Sequence, residues 1–213
     1  MKKLLLWTAA WLFGFSTAGQ DNKSAPEKKS FLAFSAGLSI PIVCYGSTDI
    51  NNKNAGYAKI GFTLDLSYGY RFGKNLGVTG SAFYSSNKTD KTVLDGAQGS
   101  YRYYGVVAGP LLTKNLSSKA GIDFKYMAGF AHVIAPKLLR GGETLLEKAS
   151  ANAFAWTAGV GLRYGLGDNT FFSFKVDHSQ MKPQFHSSAQ GENAKTEQHI
   201  VVINIDAGIG IKF

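Results

Sequence analysis

The stretch that most limits the possible folds is the end of the chain, Thr196 to Phe213. Val201, Ile203, Ile205, Ala207, Ile209, Ile211 and Phe213 fall on one parity and Asn204, Asp206, Gly208, Gly210 and Lys212 on the other. A strand sends successive side chains to opposite faces, so this segment has one oily face and one polar face. The same pattern runs without a break from Ala58 to Phe72. There Ala58, Ile60, Phe62, Leu64, Leu66, Tyr68, Tyr70 and Phe72 alternate with Lys59, Gly61, Thr63, Asp65, Ser67, Gly69 and Arg71. No helix holds a period of two over such a length.

Six further segments repeat the alternation, starting near Phe31, Leu76, Gly99, Ala120, Phe154 and Phe172. Polar stretches at 41–56, 86–98, 134–150 and 181–195 separate them in turn with short turns at 73–75, 113–118 and 165–169. The composition suits many strands joined by turns, with 25 Gly, 15 Phe, 10 Tyr and five Pro. Face assignment is hardest in the Gly99–Leu112 segment, where Arg102 sits among Tyr101, Tyr103 and Tyr104; Gly105 and Gly109 are placed inward there. The spacing predicts eight strands whose connections alternate long and short, which leaves both ends of the barrel segment on one side.

With Phe213 as the last residue, this pattern resembles the small eight-stranded outer-membrane proteins of Gram-negative bacteria, including the opacity-protein and OmpX-like groups. The resemblance implies an all-β fold, an eight-stranded antiparallel up-and-down transmembrane β-barrel with short periplasmic turns and longer external loops. It implies outer-membrane localisation among lipid and lipopolysaccharide. It also implies an insertion signal at Ile209, Ile211 and Phe213, read by the barrel-insertion machinery. The expected role is structural or surface-interacting and non-enzymatic, exerted through four external loops around a barrel without an open pore. A surface or secretion partner fits that role; nucleic acid and cofactors do not enter it. Lys53, Lys88, Lys91, Lys137, Arg140, Lys182 and Lys195 are the loop cations available for contact.

Before the first strand, Lys2 and Lys3 precede an apolar run from Leu4 to Phe15 and the small residues Ser16, Thr17 and Ala18, the pattern of an export signal. The expected organisation is a signal peptide at 1–19, a periplasmic lead-in at 20–30 and the barrel at 31–213. Loss of the two leader lysines takes the net charge from +9 to about +7. The basicity fits a solvated set of loop lysines that binds nothing in particular or, as a partner, anionic lipopolysaccharide or an acidic surface. Cys44 is the single cysteine, so no internal disulfide or cysteine-based metal site can form.

The inward parity gathers Lys59, Asp65, Arg71, Asp123, Lys125, Arg163, Lys175, Asp177, Asp206 and Lys212. Eight strands enclose only enough room for side chains, and a buried polar lumen must neutralise its own charge. These ten residues are therefore expected to form a structural ion-pair network, with no catalytic or metal-binding residue assigned. Gly37, Gly61, Gly69, Gly77, Gly121, Gly129, Gly159, Gly161, Gly208 and Gly210 share that parity and would make room for long side chains; Gly80 falls outward without explanation. Tyr70, Phe72, Tyr164 and Phe213 on the periplasmic side and Tyr84 on the other suit interfacial girdles.

Two rival functions remain. His178 and Ser179 beside Asp177 suggest a lipid A deacylase-like enzyme, but neighbouring strand residues point to opposite faces. A soluble lipocalin-like barrel would need an apolar interior, whereas here the apolar residues lie opposite the charges.

Overall fold

A computed structural model describes residues 28–49, 51–52, 55–90, 99–140, 143–146, 148–187 and 194–213. The expected signal peptide and most of the expected lead-in lie outside the described residues. In chain order the elements are β1 (Ser30–Pro41), the short helix α1 (Val43–Gly46), β2 (Gly61–Arg71), β3 (Leu76–Lys88), β4 (Ser100–Asn115) and β5 (Ala120–Ala135). They continue with β6 (Leu138–Arg140), β7 (Glu143–Leu146), β8 (Ala149–Gly165), β9 (Thr170–Met181), β10 (Gln184–Ser187), β11 (Ala194–Glu197) and β12 (Ile200–Lys212).

Eight of these strands close into an antiparallel barrel in the order β1-β12-β9-β8-β5-β4-β3-β2, and β6-β7 and β10-β11 form two separate hairpins. The first and last strands zip together from Phe31↔Lys212 to Pro41↔Val202. Ser30 and Phe213 complete the seam by exchanging both backbone hydrogen bonds, at 3.0 and 2.9 Å. A closed ladder is what lets strands cross lipid, because no backbone donor or acceptor is left at an edge. The β4–β5 ladder skips Gly109 and Pro110, where proline offers no N–H, and resumes in register at Leu111↔Lys125.

The outer wall is oily. Phe34 is 55% exposed, Phe130 68% and Ile209 59%, alongside Leu38, Leu66, Tyr126, Leu162 and Ile211. Such a belt would be untenable in water and is the surface a bilayer requires. A soluble lipocalin-like arrangement, with its apolar face turned inward along this belt, is not what the chain adopts.

Several expected boundaries shift. β2 begins at Gly61, while Ala58 makes a single bridge to Thr89, so Lys59 precedes the strand. The closing strand begins at Ile200, and Thr196 belongs to the β10-β11 hairpin. β4, β5 and β8 run to 16, 16 and 17 residues, beyond the roughly 9–11 that a crossing needs. That side of the barrel therefore rises above the bilayer.

Within the stretch 41–56, expected as a polar loop, the described residues around Tyr45 and Ala55 fold into the barrel mouth. Tyr45 on α1 is fully buried, and Ala55, Tyr57 and Ala58 are buried with it. Tyr45 meets Tyr101 edge-on, with ring centroids 5.3 Å apart and planes at 78°. Around them lie Tyr103, Val133, Ala135, Ala153, Ala155, Met181, Ile200 and Val202, and Phe185 from the β10-β11 hairpin seals the side. Two non-glycine residues bracket the insertion in left-handed backbone, Val43 at φ 56° and Tyr57 at φ 53°. A branched residue holds that conformation only where surrounding contacts over-determine it.

Candidate functional site

Charged side chains of both signs converge in the lumen, and the pleat puts them there. Asp65 on β2, Asp123 and Lys125 on β5, Arg163 on β8, Lys175 and Asp177 on β9 and Asp206 on β12 all occupy the inward parity opposite the lipid-facing residues of their strands. The structure brings these seven together in two groups.

In the first, Arg163 grips Asp123 with two bonds, Nε to Oδ2 at 2.5 Å and Nη2 to Oδ1 at 2.9 Å. Thr113 donates its hydroxyl to the same carboxylate at 2.7 Å. A two-pronged guanidinium–carboxylate pair is among the stronger charge-assisted contacts and fixes orientation as well as energy. In the second group Lys125 Nζ reaches Asp177 Oδ2 at 2.8 Å. Lys175 pairs with Asp65 and stands 3.7 Å from Asp206 Oδ2. Asp65 also accepts bonds from Ser67 and Ser81. Asp177 Oδ1, Asp206 Oδ1 and Asn204 Oδ1 are buried with no protein donor, and all three residues line one cavity of about 20 Å3.

Space for these groups comes from the partner strands. Gly159 stands opposite both Lys125 and Asp177 in register, and a Cβ there would collide with the Asp177 carboxylate. Gly161 likewise faces Asp123 and Lys175. Outward Gly80 meets only ordinary contact from an added Cβ, so space does not require glycine there.

The other three residues assigned to the lumen lie at its ends. Lys59 is about half exposed at the external mouth and pairs with Asp90 at 3.1 Å. Arg71 sits at the periplasmic rim and donates from Nη2 to the Lys28 carbonyl at 2.7 Å. Lys212 Nζ lies 5.8 Å from the Phe171 ring centroid. Ile209, Ile211 and Phe213 all point outward and are exposed.

Below the ion pairs, Phe31 and Phe171 close the periplasmic end, edge to face at 5.9 Å, with Arg163 stacked 5.7 and 5.9 Å from the two rings. A Cβ on Gly69 would strike the Phe31 ring. Neither phenylalanine features among the sequence candidates, although their parity relative to Leu32 and Phe172 marks them as inward. Tyr45 was missed as well, because nothing in a polar loop announces that its ring turns inward.

His132, His178 and His199 stay outside the lumen. His178 packs against Trp156 on the outer wall at 5.2 Å, while Ser179 turns inward and bonds Thr157 at 2.9 Å. The two side chains occupy opposite faces and cannot act as a nucleophile and base. His132 bonds Asn152 at 2.8 Å and stacks near Tyr104. His199 bonds Gln180, and partial burial followed by the charge of Lys182 holds its ring below the usual histidine range. Burial, then the neighbouring Tyr103 and Tyr101 hydroxyls, pushes the Tyr45 hydroxyl well above its ordinary value of 10.0. Among the described residues no three His, Cys, Asp or Glu side chains are grouped to hold a metal ion.

Of the loop cations, Lys88 ends β3 and Lys182 follows β9, both exposed. Lys137 lies between β5 and β6, and the backbones of Arg140 and Lys195 run in the two hairpins. Lys53 and Lys91 lie outside the described residues.

The model of the outer membrane protein beta-barrel domain matches residues 8–211. The chain belongs to that family. Its members are outer-membrane barrels, which places this one in the outer membrane of a Gram-negative bacterium, with its short turns on the periplasmic side. Solved structures agree on the fold. Neisserial surface protein A is similar at a TM-score of 0.58 and 14% identity, covering 86% of this chain and 97% of its own. Ail, the attachment invasion locus protein of Yersinia pestis, gives 0.50 and 20%, covering 88% and 100%. OprG from Pseudomonas aeruginosa gives 0.51 and 14%, covering 87% and 97%. No curated protein matches the chain.

Proposed function

We propose that this barrel is a non-enzymatic surface protein, sealed along its axis, that contributes to the outer membrane through the external head it presents. The observation that carries this reading is the filling of the lumen at three levels. Phe31 and Phe171 close the bottom, the Asp123–Arg163 and Lys125–Asp177 pairs cross the middle, and Tyr45 with Tyr101 and Tyr103 blocks the top. Ion pairs at mid-depth tie strands together across the lumen. Ile209, Ile211 and Phe213 serve in the same reading as the segment recognised during insertion, and the exposed outer wall as the surface for lipid and lipopolysaccharide. Lys88, Arg102 and Lys182 on the head are exposed and suit an acidic surface or secretion partner.

Against a lipid-modifying enzyme stands the separation of His178 from Ser179. The test is conductance across a planar bilayer, paired with lipid A mass spectra from a deletion strain. A silent bilayer with unchanged acylation is expected. Stepwise conductance from the folded protein, or a change in acyl number on deletion, overturns the reading.

A further inference from the structure

Three acceptor oxygens lie buried at mid-depth with no protein donor: Asp177 Oδ1, Asn204 Oδ1 and Asp206 Oδ1. Asn204 stands opposite Asp177 in register, and Asp206 is the next inward residue along β12. All three residues border the cavity of about 20 Å3, with Asp177 5% exposed and Asp206 2%. We propose that this cavity binds one monovalent cation, of the size of a sodium ion.

Charge sets the valence. The Arg163–Asp123 pair is balanced by itself, which leaves the ammonium groups of Lys125 and Lys175 to answer the carboxylates of Asp65, Asp177 and Asp206. Lys59, Arg71 and Lys212 lie at the two ends of the barrel. Asp206 is the carboxylate left over, because Lys175 sits on Asp65 and comes only to 3.7 Å from Asp206. An unanswered charge at that depth is strongly destabilising, and one positive charge removes the penalty.

The walls set the kind of cation. Asp65, Asp177 and Asp206 border the cavity together with the Asn204 amide and the hydroxyls of Ser81 and Thr157, and no lysine or arginine lines it. A surround of oxygen atoms suits a hard cation. The volume holds about one water. Magnesium keeps several of its waters and calcium takes roughly six to eight oxygens, so both need more room, and either would carry one charge too many. Among the described residues no three acids draw together as a divalent metal requires. Water alone would answer the orphan acceptors and leave the charge standing.

The test is urea unfolding of the full chain in phosphatidylcholine vesicles, with sodium replaced by N-methylglucamine at constant ionic strength and pH. Raising sodium from about 10 to about 100 mM is expected to lower the unfolding constant by up to about tenfold, the limit for one ion held only by the folded chain. The dependence disappears in Asp206→Asn, which keeps the shape and removes the surplus charge. Asn204→Leu keeps the charge and removes one oxygen, so its response moves to higher sodium. Asp168→Asn, on the exposed β8–β9 turn, loses the same charge and keeps the wild-type response. A wild type indifferent to sodium, or a response undiminished in Asp206→Asn, overturns the proposal. So does a stability that follows pH and not sodium, which puts a proton on Asp206 instead.

Discussion

The two halves of this barrel obey opposite rules. In the periplasmic half the outside is Phe34, Leu66, Phe124, Leu162 and Ile209 and the inside is Asp65, Asp123, Arg163 and Lys175. Toward the external end the same strands invert. There Ser86, Arg102, His132, Asn152 and Gln180 take the outward parity, while Tyr101, Tyr103, Val133, Ala153, Met181 and Val202 are buried within. No strand slips register at the change. What changes is the solvent, from lipid to water, and the side chains answer to it: oil faces oil outside below, and oil faces oil inside above.

The comparison is broken most severely from below. Arg163→Ala strands the buried Asp123 carboxylate and removes the cation over Phe31 and Phe171, an expected loss of about 3–5 kcal/mol. Urea unfolding in lipid vesicles measures it. The double variant Asp123→Asn/Arg163→Gln should recover a large part, because the cost lies in the uncompensated charge. Full loss in the double variant would mean that shape and not charge governs the lower half.

From above, the corresponding change is Tyr45→Ala. Ala131, Ala135, Ala153 and Ala155 in the chamber wall are too short to refill the space, so about 3 kcal/mol is expected to go. Cys44 beside it is partly exposed and reports the same event. Its maleimide labelling should quicken in Tyr45→Ala and stay unchanged in Arg163→Ala, which keeps the two halves distinguishable.

A smaller effect sharpens the upper half through pH. Tyr45 is held neutral in the fold, with its hydroxyl pushed above 10.0, whereas in the unfolded chain it ionises at the ordinary value. Stability from this group is therefore intact below about pH 10 and declines as pH rises further, because the unfolded state sheds its proton first. Between about pH 9 and about pH 11 the wild type should lose about 1 kcal/mol more than Tyr45→Phe, read as the difference in urea midpoints.

The parity of the strands made most of the lower half legible. A run such as Phe62 to Phe72 states both its faces outright, and the charged inward positions could be listed, though not paired. Pairing depends on which strands are neighbours and on their stagger: Asp123 meets Arg163 diagonally across β5 and β8, a relation no linear spacing displays. Lys59 was misplaced because the alternation carries on from Ala58 although the ladder begins only at Gly61, where the left-handed turn at Tyr57 has been left behind. The head was hidden for a different reason. Tyr45 and Phe185 lie in stretches whose composition is that of a solvated loop, and only the closed wall beyond the bilayer gives their rings somewhere dry to go.

The inversion itself is open to one direct measurement. With Cys44→Ser as background, spin labels at Phe130→Cys and Phe154→Cys are compared with labels at His132→Cys and Asn152→Cys, adjacent outward positions on β5 and β8. In bilayers the first two should be relaxed by dissolved oxygen and the second two by a water-soluble nickel chelate, with the change falling within one residue pair on each strand. Four labels of the same accessibility, or a lipid-like signal at Asn152→Cys, would contradict the account.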